Sequence, residues 1–238
     1  MIFVLSAAFF WFLVSKALSP VAKLRDLDRL VRNDTLFARE NAAICMHPDM
    51  GALVREKAYK EALLELSGSD SIQLVVDLSD STVNLYIRGV RIHTTKPGSV
   101  RRDRFFNAMP LIQQVKVFSR PLEIRSQFAT IVKEPVVVRN APRDTLEAAM
   151  DAWMPDTLIQ KPAFLILHAE YGLDLIMEQE VNARFPDRWK KFTFHVRIRR
   201  ERIFGREYHP AITLKMPASD LRAIYRALPC HARVVIRL

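Results

Sequence analysis

Thiols and imidazoles are the side chains in this sequence best suited to open a chemical argument. The thiols are Cys45 and Cys230. Two cysteines exclude a disulfide framework and a cysteine-rich zinc site. They lie in segments that nothing brings together, so both are expected as free thiols. Among the histidines, His195 and His209 stand in or beside a strongly basic stretch. No His/Asp/Glu set has metal-ligand spacing, and no glycine-rich phosphate loop is present, so no metal or cofactor is expected. Ser219 reads as a helix cap rather than a nucleophile.

The basic stretch runs from Asp187 to His209. It carries Arg188, Lys190, Lys191, Arg197, Arg199, Arg200, Arg202 and Arg206 against Asp187, Glu201 and Glu207. Trp189, Phe192 and Phe194 are interleaved, a mixture that could stack on nucleic-acid bases. The favoured reading is a strand over Phe192 to Arg199. In it Phe192, Phe194, Val196 and Ile198 turn inward, while Thr193, His195, Arg197 and Arg199 turn outward.

The chain around this stretch has 238 residues, 50% apolar and 26% charged, which is ordinary globular composition. With only 6 glycines and no repeat, fibrous and solenoid designs are excluded. The net charge of +10 favours anionic partners without choosing among them.

Residues 2–14 read IFVLSAAFFWFLV and carry no charge. Extended to Leu18, the run reaches roughly the 17 residues at the lower limit of a bilayer span. Three roles are open: a membrane anchor, a cleaved secretory signal and a core helix. The anchor is favoured, because a signal peptide needs a basic lead that this chain lacks. Lys16, Lys23, Arg25, Arg29 and Arg32 follow the run, and the positive-inside rule taken alone would leave the remainder in the cytoplasm.

Residues 19–70 read as a helical stalk. Ser19-Pro20 opens its first helix, with Val21, Leu24, Leu27 and Val31 as a stripe. Further helices are expected at Leu36 to Met46 and Met50 to Leu66, the latter with Leu53, Ala58, Ala62, Leu63 and Leu66 inward. From Ser71 the pattern becomes β. Strands are expected at Ser71–Leu78, Thr82–Ile87 and Val90–Thr95 as a meander. More follow at Leu122–Val132, Pro135–Arg139, Ala163–His168, Leu173–Glu178, Ala211–Leu214 and Ala232–Leu238. Helices are expected at Asp144–Trp153 and Ser219–Leu228.

The two ends of this domain resemble the L,D-transpeptidase catalytic domain. Tyr208-His209-Pro210-Ala211-Ile212-Thr213-Leu214 stands where that family has Ser-His-Gly-Cys-Ile-Arg-Leu. A linker, a helix containing Ile224 and Tyr225, Leu228-Pro229 and a terminal strand Val234-Val235-Ile236 follow in the family's order. Val75-Val76-Asp77-Leu78 with Val83-Asn84-Leu85-Tyr86 is similar to its first hairpin.

The resemblance implies an α+β fold that is mainly β. It would be a mixed β-sandwich of L,D-transpeptidase type, with a membrane anchor or signal at 1–18, a stalk at 19–70 and the domain at 71–238. It also implies a disarmed site. Ala211 occupies the place of the nucleophilic cysteine, and a methyl group forms no acyl-enzyme. Pro210 replaces the glycine and Thr213 the arginine. His195 matches the upstream base by its spacing, or is an ordinary strand histidine; His209 matches the histidine of the motif.

The expectation is therefore a single-pass inner-membrane pseudoenzyme with its domain in the periplasm. It would bind peptidoglycan stem peptides or an envelope protein, with Lys190, Lys191, Arg197 and Arg199 contacting carboxylates. Two alternatives stand beside it. One is an active, divergent peptidoglycan L,D-transpeptidase. The other is a membrane-tethered cytoplasmic binder of nucleic acid or anionic lipid, nucleic acid being the less favoured partner.

Overall fold

The computed structural model describes residues 2–133, 162–180, 185–205 and 207–238, with the side chains of 2–9, 48 and 185–187 outside the described set. The expected strand Pro135–Arg139 and helix Asp144–Trp153 lie outside the described residues. The chain is a mixed α/β protein. Its helices are α1 (Ile2–Asn33), α2 (Thr35–Met46), α3 (Gly51–Ser67), α4 (Phe105–Ala108), α5 (Leu111–Phe118), α6 (Phe185–Phe204) and α7 (Ala218–Ala227). Its strands are β1 (Gln73–Asp77), β2 (Thr82–Ile87), β3 (Val90–Thr95), β4 (Ser99–Arg102), β5 (Leu122–Ala129), β6 (Phe164–Ala169), β7 (Leu173–Gln179), β8 (Ala211–Met216) and β9 (Arg233–Arg237).

All nine strands join in one sheet, ordered β3-β2-β1-β9-β5-β6-β7-β8-β4, in place of the two facing sheets of the expected β-sandwich. The first three make the expected meander, turning at Ser81 (φ 50°) and Gly89 (φ 76°). β9 inserts parallel to β1, and β8 lies parallel to β7. β5 joins the two halves. Leu122 and Glu123 pair with β9, a bulge follows Ile124, and Ser126 to Ala129 pair with β6. A bulge bends a strand, which lets one strand serve both partners.

Strand alternation separates two faces. The inner face carries Leu74, Val76, Ile124, Leu165, Leu167, Leu175, Met177, Leu214 and Val234, packed with Leu27 of α1, Phe105, Phe106 and Phe118 of α4 and α5, and Leu221 and Ile224 of α7. The outer face is covered at two places. Tyr59, Ala62 and Leu66 of α3 sit on Val75 and Val235. Phe194 of α6 sits on Phe164, Ile166, Ile176 and Ala211.

Further expectations are corrected, among them the cap at Ser219, since α7 begins at Ala218 behind Pro217. Phe192–Arg199 is not a strand but lies within α6. Phe194 is buried, while Phe192 (57% exposed) and Val196 (47%) face outward, so the inward alternation fails. The stretch's arginines and lysines are good helix formers. Ser19-Pro20 does not open a helix either, since α1 runs through Pro20. Proline cannot donate to the Lys16 carbonyl one turn earlier. The Ser19 hydroxyl donates to that same carbonyl at 2.7 Å and replaces the missing bond. Leu53 is 63% exposed instead of inward, whereas Val54 and Tyr59 are buried. Finally, β4, α4 and α5 fill a region where no elements were expected.

The α3 part of the segment read as a stalk lies against the sheet. α1 changes character along its length. Leu27 and Val31 are buried, while Phe10, Trp11, Leu13 and Leu18 are exposed. Among the described residues, no helix is long and apolar enough to cross a membrane.

Candidate functional site

Helix α6 lies over the outer face of β6, β7 and β8, and its two flanks form clefts with that face. The cleft toward β4 has a volume of about 650 Å³. Its floor is Ile176 and Glu178 of β7 and Ala211, Thr213 and Lys215 of β8. These are alternate residues of adjacent strands, and their register brings Glu178 beside Lys215 and Ile176 beside Thr213. β4 closes the far side, where its pairing sets Arg101 opposite Thr213. α6 closes the near side with Lys191, His195, Ile198, Arg199 and Arg202, which share one helical face.

Seven cations line this cleft: Arg101, Arg102, Arg104, Lys191, Arg199, Arg202 and Lys215. None of them forms an ion pair with a described residue. Two carboxylates balance them in part. Asp103 is held by Tyr208, whose hydroxyl donates to Oδ2 at 2.7 Å, and by the Phe105 N–H. Burial and that bonded carboxylate push the Tyr208 phenol well above its ordinary range. Glu178 is buried, its Oε1 lies 3.4 Å from Nε2 of His195, and its Oε2 has no hydrogen-bond partner.

Chemically, the cleft has an imidazole with a carboxylate behind it, the orienting half of a nucleophile–base–acid relay. Ala211 supplies only a methyl group. Among the described residues, Thr213 is the one hydroxyl residue lining the cleft, and no cysteine lines it. Cys45 is half-buried and its thiol is pushed up by burial; Cys230 is exposed. Both are free, as expected.

The structure thus brings together His195, Ala211, Thr213, Lys191 and Arg199. It separates three other expected site residues from them. Lys190 does not line either cleft under α6. Arg197 lies on the opposite flank, over the Phe128 ring at 3.7 Å and paired with Glu201 at 3.0 Å. His209 also belongs to the second cleft, where it meets His168 and Asp174.

That second group spans β6, the start of β7 and the turn before β8. Nδ1 of His168 is 2.7 Å from Oδ1 of Asp174, and Nδ1 of His209 is 3.4 Å from the same oxygen. Burial pushes the Asp174 carboxyl up, but the two neighbouring imidazoles outweigh it and hold it below the usual carboxylate value. Its hydrogen bond raises the His168 imidazole above the ordinary histidine value. These three are the described residues able to hold a metal, their donor atoms lying within 4.8 Å of one another.

Sequence reasoning missed Arg101, Arg102, Arg104, Lys215 and Glu178. The run Arg101-Arg102-Asp103-Arg104 was a usable signal for the cleft's far side. Nothing local marked Glu178 or the pairing of His168 with Asp174. The sequence matches no family model, and comparison with curated proteins and solved structures finds no match.

Proposed function

We propose that this chain is a membrane-anchored binding protein of L,D-transpeptidase type. It holds a carboxylate-bearing ligand, peptidoglycan stem peptide, in the cleft between α6 and β4, without a covalent step. The observation that carries this is the concentration of seven cations, none paired with a described residue, around one floor that contains Ala211. Charge-assisted bonds from arginine suit carboxylates, and a methyl at position 211 offers no electron pair for acyl transfer. His195, Ala211 and Thr213 share the cleft, which supports reading them as the remnant of a disarmed site. Phe10, Trp11, Leu13 and Leu18 are exposed together on α1, which supports anchoring through residues 2–18 in the inner membrane. The resemblance of the chain's two ends to the L,D-transpeptidase domain supports reading the domain as periplasmic.

The test is co-sedimentation of the full-length protein, in detergent, with purified sacculi at low and moderate salt. Retention that weakens with salt supports wall binding. No retention at either salt overturns it.

One observation favours a second reading, a binder of anionic lipid. Trp189, Phe192, Val196 and Ile203 are exposed on the side of α6 away from the sheet. Arg188, Arg199 and Arg200 flank them on the helical wheel, as on a helix lying in a bilayer interface. The Lys16 side chain of α1 donates to the Gly205 carbonyl just past α6, tying this helix to the apolar segment. Trp189 emission with Trp11 and Trp153 changed to Phe tests it. A blue shift with anionic vesicles supports lipid contact, and unchanged emission rejects it.

A further inference from the structure

We infer that His168, Asp174 and His209 form a binding site for a divalent zinc-type cation. The three donors come from positions that the sheet makes rigid. His168 and Asp174 are direct partners in the β6–β7 register. Asp174 is also the partner of Ala211 at the start of β8, and its N–H donates to the Pro210 carbonyl at 3.0 Å. His209 is therefore delivered to Asp174 by backbone pairing rather than by a flexible loop.

The connection that turns β6 into β7 is built for close approach. Tyr171 (φ 57°) and Gly172 (φ 64°) both take left-handed backbone there. A side-chain carbon at Gly172 would stand 3.1 Å from Nζ of Lys23 and in ordinary contact, 3.6 Å, with Nδ1 of His209.

Two histidines and one carboxylate are a recurrent zinc ligand set, with a fourth position left for water or substrate. Nδ1 of His209 is the independent pointer: the atom lies 3.4 Å from Oδ1 of Asp174 without the geometry of a hydrogen bond. The nitrogen itself is buried although the ring is partly exposed, and a bound cation would satisfy its lone pair. On loading, the ion takes the place of the proton between His168 Nδ1 and Asp174 Oδ1. The open side faces a cleft of about 790 Å³ lined by Thr193, Glu201 and Phe204 of α6. Nearby cations are partly matched. Lys23 pairs with Glu207 at 3.9 Å, and Arg197 with Glu201. Arg200 and Arg202 also face this cleft and weaken the site relative to one without them.

The test uses the untagged full-length chain in detergent, stripped with chelator and dialysed against Zn²⁺ or Co²⁺ alone. Elemental analysis is expected to find about one ion per chain. Co²⁺ is expected to give visible ligand-field bands. Asp174→Asn and His209→Gln should each weaken binding at least about tenfold, while His231→Gln should leave it unchanged. Circular dichroism checks that the variants fold. Less than about one-tenth of an ion on the wild-type chain, or an unchanged Co²⁺ spectrum in both variants, overturns the site. Arg101→Glu, on the other cleft, should leave ion uptake intact.

Discussion

Nε2 of His195 lies 3.4 Å from Oε1 of Glu178, so helix α6 places an imidazole over the buried carboxylate on the cleft floor. The carboxylate's second oxygen has no partner. A buried charge of this kind is costly unless the surrounding field supports it. Here that field comes from the cations of α6, β4 and β8. The arrangement favours an incoming anion, with Glu178 as the group that opposes it.

From that follows the first expectation. Glu178→Gln keeps the side-chain shape and removes the opposing charge. Binding of stem peptide should tighten by about three- to tenfold at low salt, as expected for one unit charge several ångströms away. Calorimetric titration measures it. Unchanged or weaker binding would show that Glu178 does not face the ligand.

Restoring a thiol probes the same floor. Ala211→Cys, in a Cys230→Ser background, places sulfur among the cleft's cations, which favour thiolate. Iodoacetamide should modify Cys at 211 well before Cys45, whose thiol is pushed up by burial. Intact mass with time reads the order. Modification of Cys45 first would mean that position 211 is shielded from the cleft.

Packing of α3 gives a contrast pair. Leu66 is 1% exposed against the sheet, and Leu66→Ala should cost about 2–4 kcal/mol. Leu53, at 63% exposure, should tolerate alanine within about 0.5 kcal/mol. Chemical denaturation compares them. Equal effects would contradict the docking of α3.

Tyr59 is expected to contribute to stability at alkaline pH. Burial, then the nearby Asp77 charge, push its phenol from an ordinary 10 up to about 12. The folded state therefore holds this proton where the unfolded chain releases it. The contribution is complete below pH 10 and is lost as pH rises from 10 toward 12. Tyr59→Phe should flatten part of that decline in melting temperature. An identical profile in the variant would rule Tyr59 out as its source.

The sequence made most of the sheet legible, and the particulars explain why. β2, β6 and β7 show clean runs bounded by turns, and the terminal β8–α7–β9 unit carries a helix between two apolar strands. α6 was illegible for a definite reason. Phe194 and Ile198 are four residues apart and face the sheet, while Phe192 and Val196, also four apart, face outward. Two opposed helical pairs interleaved in this way mimic strand alternation. The cleft was half legible. His195, Ala211 and Thr213 were marked by a local pattern, but Arg101 reaches them only through the long-range β4–β8 pairing. The His168–Asp174–His209 group has no motif spacing, because β6, the start of β7 and the turn before β8 assemble it.

The most direct measurement is a titration of soluble stem tetrapeptide into the full-length protein and into an Arg101→Glu/Arg199→Glu variant, followed by intact mass of the wild-type chain. Binding to the wild type should be saturable and weakened at least about tenfold by the double charge reversal, with no mass added. Equal binding by both proteins would contradict the cleft as the ligand site. A covalent adduct of peptide mass would contradict the claim that the site only binds.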